Sequence, residues 1–149
     1  MIKNNNKQGF TLIELLVVIA IIGLLSTLSI LALNTARARA RDTKRVADVK
    51  QMQTALEMFY NETGDYPTTG ITAGNSIGTG TNVYLKAIPK PPTPFDGVPC
   101  VNNTGSYTYT YTSGGVGAGG VYTIDYCLGA AVNDLPAVTI LHASPSGMR

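Results

Sequence analysis

The sequence has 149 residues, a formal net charge of +2 at pH 7, 44% hydrophobic residues and 13% charged residues. This length predicts one domain together with one apolar segment, and the small net charge excludes a protein that is basic throughout. Residues 61–149 are rich in Gly, Thr, Pro, Tyr and Asn. That composition is typical of a small β-rich domain.

The N-terminal region joins a short polar stretch to a long apolar one. The first nine residues contain two lysines and end at Gly9, whereas residues 10–33 contain a single charged residue, Glu14. As a helix, the stretch from Leu12 to Leu33 would measure roughly 33 Å, enough to cross the hydrocarbon core of a bilayer. The alternative, a buried core helix, rarely runs this far without a polar face. We therefore predict a membrane-spanning helix over this segment.

The stretch GFTLIELLVVIAIIG, residues 9–23, resembles the start of type IV prepilins and of type II secretion pseudopilins. Those proteins share a short basic leader that ends in Gly, followed by Phe, Thr-Leu-Ile-Glu and an apolar run. The resemblance implies that residues 1–9 are a leader peptide. It also implies that a prepilin peptidase cuts between Gly9 and Phe10 and methylates the new N-terminus on Phe10. At Leu31 the chain departs from the family, whose members usually carry a proline there.

A second stretch, residues 47–69, resembles the end of the long helix and the following loop of major pseudopilins. The resemblance covers residues 1–69 and is weaker beyond them. It implies an α+β, pilin-like fold, in which a long N-terminal helix packs on a small antiparallel β-sheet head. The first half of that helix would span the membrane or lie in a filament core.

Glu14 is a carboxylate near one end of the apolar segment, and two interpretations fit it. Its side chain can reach the lipid headgroups. Alternatively, once the leader is removed, Glu14 of one subunit can pair with the amine of Phe10 of the next. Burial makes an unpaired charge costly and a paired one tolerable. We therefore predict that Glu14 acts in subunit assembly by setting the axial register.

Residues 34–63 are predicted to continue the helix into the head. No proline occurs between Leu33 and Pro67, and apolar residues recur at helical spacing, which predicts an amphipathic helix. Gly64 and Pro67 are predicted to end it. The apolar stripe consists of Val46, Val49, Met52, Leu56, Phe59 and Tyr60.

Residues 37–50, here called the basic collar, contain six basic residues and two acidic ones. The collar has three interpretations. It can be a solvated helix face beside anionic headgroups, a surface that forms salt bridges between subunits, or a nucleic-acid contact. Direct nucleic-acid binding is the weakest of these, because no aromatic residues are interleaved with the charges.

The head, residues 64–149, is predicted to be an antiparallel β-sheet. Alternating Tyr and Thr over residues 106–112 and the β-rich stretch 121–128 predict a hairpin around the glycine-rich residues 113–120. Residues 137–141 are predicted to form a third strand. Residues 68–99 are expected to be mostly irregular.

Cys100 and Cys127 are too far apart for a CxxC redox motif and do not fit a zinc framework. Two interpretations remain, one disulfide or two buried thiols. The disulfide requires the head to lie outside the cytoplasm. Charge counting alone favours the opposite orientation, because the basic collar follows the apolar segment and the positive-inside rule then places the C-terminus in the cytoplasm. The cysteines and the composition of the head favour a head outside the cytoplasm, so charge counting does not settle the orientation.

No arrangement of residues predicts catalysis, a metal site, a cofactor or bound nucleotide; the single histidine, His142, is expected to be an ordinary residue of the C-terminal tail. We therefore predict a structural subunit that forms a homo-polymer, a type IV pilus or pseudopilus, for adhesion, motility, DNA uptake or protein secretion. The family implies four partners: prepilin peptidase, an assembly ATPase, an inner-membrane platform protein and minor pilins. Direct nucleic-acid binding is not predicted.

The predicted location is the cytoplasmic membrane, crossed once with the head outside the cytoplasm, and then an extracytoplasmic filament. The alternative function is a membrane-tethered extracytoplasmic binding module that does not polymerise. That alternative leaves the Gly9-Phe10 step and Glu14 without a role.

Overall fold

A computed structural model describes residues 9–94, 109–114, 120–137 and 140–148. The chain divides into two compact units, Met1–Arg37 and Ala38–Arg149. One helix, α1 (Leu12–Thr63), has 52 residues and contributes to both units. The predicted α+β fold is confirmed, because this long N-terminal helix is combined with two antiparallel sheets.

In the first unit, every described residue from Gly9 to Arg37 is exposed. By its length and composition, helix α1 is long and apolar enough to cross a membrane. The helix continues without a break through Leu31, where the proteins that the sequence resembles usually carry proline. A helix that is apolar on all sides needs lipid or other helices around it.

The hydroxyl side chains in this apolar stretch bond to carbonyl groups of their own helix. Ser26 Oγ donates to the Ile22 carbonyl at 2.7 Å, and Ser29 Oγ donates to the Leu25 carbonyl at 2.9 Å. Thr27 makes an equivalent bond. Each hydroxyl is thereby satisfied without water, as an apolar surrounding requires.

In the second unit, the apolar stripe predicted on α1 forms one wall of the core. Its spacing of three to four residues places these side chains on one side of the helix, where they face the sheet. Val46, Val49, Met52, Ala55 and Leu56 are buried, and Phe59 and Tyr60 pack against them partly buried. The predicted amphipathic helix is confirmed.

The helix ends as its sequence predicts. Gly64 adopts a left-handed conformation with φ of 79°, and its amide donates to the Tyr60 carbonyl at 2.8 Å. Glycine accepts this conformation at no steric cost. Pro67 follows three residues later.

The segment 68–99, expected to be mostly irregular, contains a small hairpin that the sequence analysis missed. Strand β1 (Ile77–Thr79) pairs antiparallel with β2 (Asn82–Leu85). Strands of three and four residues are too short to show a clear alternation. At Gly78 any Cβ would meet the Asn82 carbonyl oxygen at 2.3 Å, so the irregular register of this pair requires glycine.

The second sheet has four antiparallel strands in chain order, β3 (Thr110–Ser113), β4 (Tyr122–Cys127), β5 (Ile140–Ser144) and β6 (Gly147–Met148). The predicted hairpin is confirmed for β3 and β4, whose register pairs Thr110 with Asp125. Residues 106–108 and 115–119 of that prediction lie outside the described residues. Along β4 the buried Tyr122, Ile124 and Tyr126 alternate with partly exposed Thr123 and Asp125.

The predicted third strand (137–141) exists and extends beyond its predicted end at residue 141, and residues 138–139 of the prediction lie outside the described residues. Strand β5 runs over Ile140–Ser144, because the buried Leu141 and Ala143 alternate with the exposed His142. His142 was expected in a simple tail. Instead it lies in a central strand of this sheet, opposite Asp125 on β4.

Tyrosines fill much of the space between α1 and the sheet. The rings of Tyr60 and Tyr66 stack at a centroid distance of 4.8 Å, and Tyr66 meets Tyr122 edge-on at 4.6 Å. Burial raises the pKa of Tyr111 and of Tyr126 to about 12. Within the described residues the Tyr126 hydroxyl has no hydrogen-bond partner.

These pKa values predict that the protein loses stability at alkaline pH. A tyrosine ionises near pH 10 in an unfolded chain, whereas Tyr111 and Tyr126 stay protonated to about pH 12 when folded. Their contribution to stability is complete below pH 10 and is lost as the pH rises from 10 towards 12. The free energy of unfolding should fall by about 1.4 kcal/mol per pH unit for each such tyrosine.

Chemical denaturation in detergent at several pH values, followed by circular dichroism, measures this loss. Tyr126→Phe should reduce the alkaline slope by one tyrosine's share and leave stability at pH 8 unchanged or higher. An unchanged slope in Tyr126→Phe would contradict the assignment.

Candidate functional site

The first turn of α1 begins with a capping box formed by Thr11 and Glu14. The Thr11 backbone amide and hydroxyl both donate to Glu14 Oε2, at 2.9 Å and 2.7 Å. The Glu14 amide in turn donates to Thr11 Oγ1 at 3.3 Å. This reciprocal arrangement satisfies amides that lack a partner within the helix and places a negative charge at its positive end.

The two residues of the predicted cleavage step precede this capping box. Gly9 and Phe10 are exposed, and both lie outside the helix, which begins at Leu12. The Phe10 side chain is 93% exposed. The scissile bond predicted between them is therefore open to an enzyme, and the helix that follows it is held by its own cap.

Glu14 belongs to an otherwise apolar face of the helix. A shallow groove of about 390 Å³ is lined by Phe10, Ile13, Glu14, Val17 and Val18. The carboxylate is the single charged group in this lining. A face of this kind provides apolar packing and one fixed negative charge.

The second unit contains a buried ion pair that the sequence analysis missed. Asp42 and Arg45 are 0% and 1% exposed, and the Arg45 guanidinium binds the Asp42 carboxylate. The same carboxylate accepts the amides of Gly129 at 3.0 Å and Ala130 at 2.7 Å. Arg45 Nη2 donates to the Pro92 carbonyl at 3.0 Å.

This ion pair corrects one interpretation of the basic collar. A fully solvated helix face was one of three possibilities, and it is wrong for Arg45, whose position on α1 faces the core. Arg37, Arg39, Lys44 and Lys50 are exposed, as that interpretation requires. The collar is therefore an exposed set of cations built around one internal pair.

The remaining predicted site residues lie in or beyond the sheet. Cys127 ends β4 and is 9% exposed, whereas Cys100 lies outside the described residues, so their disulfide stays a prediction. His142 Nδ1 and Asp125 Oδ1 are 2.7 Å apart on the outer face of the sheet. Among the described residues, no group of three or more His, Cys, Asp or Glu residues could hold a metal ion.

Comparison with known proteins gives a family assignment. The prokaryotic N-terminal methylation motif matches residues 4–30. The chain is 31% identical over 111 residues to the type IV major pilin protein PilA of Myxococcus xanthus, a match that covers 67% of this chain and 50% of that protein. It is 31% identical over 101 residues to the type II secretion system core protein G of Vibrio cholerae, covering 62% and 69%. The chain belongs to the type IV pilin and type II secretion pseudopilin family.

A third relative, the type II secretion system core protein G of Escherichia coli, is 38% identical over 65 residues, covering 44% of this chain and 45% of that protein. The chain spans about half the length of this relative and of the Myxococcus pilin. No solved structure matches the chain. The matched motif includes all three N-terminal site residues, Gly9, Phe10 and Glu14.

In this pilin-family chain, the capping box at the start of α1 was not predicted, although the sequence contains its signal. Thr11-Leu-Ile-Glu14 ahead of an apolar run is the pattern of a capping box. The buried Asp42–Arg45 pair had no comparable signal, because its backbone partners are more than 40 residues away in sequence.

The ion pair makes a testable contribution to the stability of this pilin-family protein. Asp42→Ala removes the acceptor for Arg45 and for the amides of Gly129 and Ala130. It should therefore lower the free energy of unfolding by about 3–5 kcal/mol. Adding Arg45→Met should recover part of this loss, because no buried charge is then left unpaired.

Chemical denaturation of the single and double variants in detergent measures both effects. Asp134→Ala, at an exposed acid, is the matched control and should change stability by no more than about 0.5 kcal/mol. Equal stability of Asp42→Ala and the parent would contradict the role of the pair.

Proposed function

We propose that this protein is the structural subunit of a type IV pilus or pseudopilus and polymerises through its N-terminal helix. One observation carries the proposal: the apolar helical segment that follows Gly9-Phe10 is exposed at every position. Side chains of this kind are stable in a bilayer or among other helices of the same kind. The matched methylation motif and the pilin and core protein G relatives support the same role.

Four segments divide the work. Residues 1–9 form the leader, 10–33 the membrane-spanning and filament-core helix, 34–63 the amphipathic helix, and 64–149 the head. Prepilin peptidase removes the leader and methylates Phe10. The exposure of Gly9 and Phe10 ahead of the helix supports this step.

Glu14 acts in assembly by pairing with the amine of Phe10 on a neighbouring subunit. The capping box supports this role, because both bonds from Thr11 end on Oε2 and hold the carboxylate in one orientation. Its partners in the box are neutral, so the negative charge is not cancelled. A fixed charge inside an apolar surrounding specifies one register and disfavours others.

The chain crosses the cytoplasmic membrane once, with the head outside the cytoplasm, where a Cys100–Cys127 disulfide would be stable. Force for assembly comes from a partner ATPase acting through an inner-membrane platform protein, with minor pilins as further components. The role is structural rather than catalytic. Adhesion, motility, DNA uptake and protein secretion are the uses open to such a filament.

The first test is the intact mass and N-terminal sequence of the protein extracted from membranes after co-expression with a prepilin peptidase. We expect an N-terminus at Phe10 that carries one added methyl group. The matched control is Gly9→Val, which should retain the leader because a side chain is added at the cut. An intact leader in the parent protein would favour a tethered module that does not polymerise.

The second test separates the role of Glu14 in the capping box from its role in pairing with the amine of Phe10 on a neighbouring subunit. Glu14→Gln keeps hydrogen-bonding capacity but loses the charge, so we expect normal membrane insertion and filament yield lowered about tenfold or more. Thr11→Val is the comparison variant: it removes the hydroxyl bond to Glu14 but keeps the carboxylate and the bond from the Thr11 backbone amide, so filament yield should fall less than in Glu14→Gln. Filaments sheared from cells are quantified by immunoblot. Normal yield from Glu14→Gln would rule out the pairing.

A further inference from the structure

Over residues 38–50 of α1, burial removes the acidic side chains from the surface. Residues 38–50 contain two acids, Asp42 and Asp48, and both are buried. Asp42 binds Arg45 and two backbone amides, and Asp48 accepts the Tyr109 hydroxyl at 3.0 Å. The exposed surface of this part of the helix therefore presents cations without acids among them.

Three of these cations, Arg39, Lys44 and Lys50, are exposed. Within the described ranges, the contacts at ion-pair distance join Asp42 to Arg45 and Asp125 to His142, so none involves these three side chains. The collar therefore has positive charge available to an external anion.

Negative charge is found near the C-terminal end of the same helix. Residues 51–65 contain three acids and neither Lys nor Arg. Glu57 is turned inward, where its Oε1 accepts the Tyr66 hydroxyl at 2.8 Å. Glu62 is exposed and Asp65 is partly exposed, and these two residues are here called the acidic end.

Glu62 is held in place by neutral donors. The Thr79 hydroxyl and the Asn82 side-chain amide donate to its Oε1 at 2.9 Å and 3.0 Å. These bonds orient the carboxylate and do not neutralise it. A charge that is fixed in orientation loses less side-chain entropy when it meets a partner.

We propose that the basic collar of one copy binds the acidic end of a neighbouring copy, with Lys44 and Lys50 facing Glu62 and Asp65. The proposal rests on the proposed function, since it specifies how subunits of that filament contact one another. Because the two surfaces differ, each copy binds one neighbour through its basic collar and another neighbour through its acidic end. A contact of this type generates an open filament rather than a closed dimer.

The spacing along the helix gives the offset between copies. Lys50 and Glu62 lie about 18 Å apart along the axis, and Lys44 and Glu62 about 27 Å. Copies in parallel orientation must therefore be displaced by about 18–27 Å for the charges to meet. An anionic lipid surface would also attract the collar, but it would leave the acidic end without a role.

Zero-length carbodiimide cross-linking of filaments from the full-length protein tests the contact. The reagent joins a lysine amine to a carboxylate only when the two touch. Lys44 and Lys50 cannot reach Glu62 of the same helix at these distances, so a cross-linked peptide between them must come from two copies. We expect such peptides by mass spectrometry, together with a ladder of multimers on denaturing gels.

Charge reversal provides the second test. Lys44→Glu with Lys50→Glu should lower filament yield at least about fivefold, because attraction is replaced by repulsion. Asp65→Lys with Glu62→Lys should do the same, and the four changes together should restore most of the yield. The matched control is Lys86→Glu with Lys90→Glu, two exposed lysines off the helix, which should assemble normally.

The outcomes separate this inference from the proposed function. Normal filaments that give no cross-link from the collar to the acidic end, and that tolerate both reversals, would overturn the inference and keep the proposed function. Loss of yield without rescue, together with weaker binding to vesicles containing anionic phospholipid, would assign the collar to lipid instead. A processed wild-type protein that forms no filament would contradict the proposed function itself.

Discussion

The exposed apolar surface of the N-terminal helix constrains everything else in this protein. Covering one large apolar side chain is worth about 1.5–3 kcal/mol, so the side chains between Leu12 and Leu33 together account for tens of kcal/mol. The small second unit fills its core with a different stretch of the helix. The apolar segment must therefore be covered by lipid or by other chains.

The polar groups of that segment are compatible with both surroundings. Ser26 and Ser29 donate to carbonyl groups of their own helix, and Thr11 and Glu14 satisfy each other across the first turn. Neither arrangement needs water. The charge of Glu14 is the exception, because hydrogen bonds from Thr11 stabilise it without neutralising it.

The long helix and half of the sheet followed directly from sequence periodicity. Val46, Val49, Met52 and Leu56 repeat at the spacing of an amphipathic helix, and Gly64 marks the end of that helix. The hairpin of β1 and β2 was missed because three or four residues are too few for a period to appear. The end of β5 was placed too early, because the polar His142 and Ser144 interrupt the apolar residues although Leu141 and Ala143 on the same strand are buried.

The candidate site also contains residues that the sequence could predict and residues that it could not. Gly9, Phe10 and Glu14 are neighbours in sequence, so their local pattern was sufficient to select them, and the Thr11 cap could also have been read from it. Arg45 could not be distinguished from the exposed cations around it. Its guanidinium reaches the carbonyl of Pro92, which is 47 residues away in sequence, and a contact of that length is fixed only by the folded chain.

The polar contacts between α1 and the rest of the second unit are spread along the helix. Asp42 binds the amide of Ala130, Gln53 Nε2 donates to the Ser144 carbonyl at 2.9 Å, and Glu62 binds Asn82. Because these contacts lie at different positions along the helix axis, they bear a pulling force in parallel. If one contact breaks, the others take up its load and the helix stays attached. Tension applied along this helix would therefore be resisted in shear by the whole head, a mechanical property that suits the proposed filament subunit.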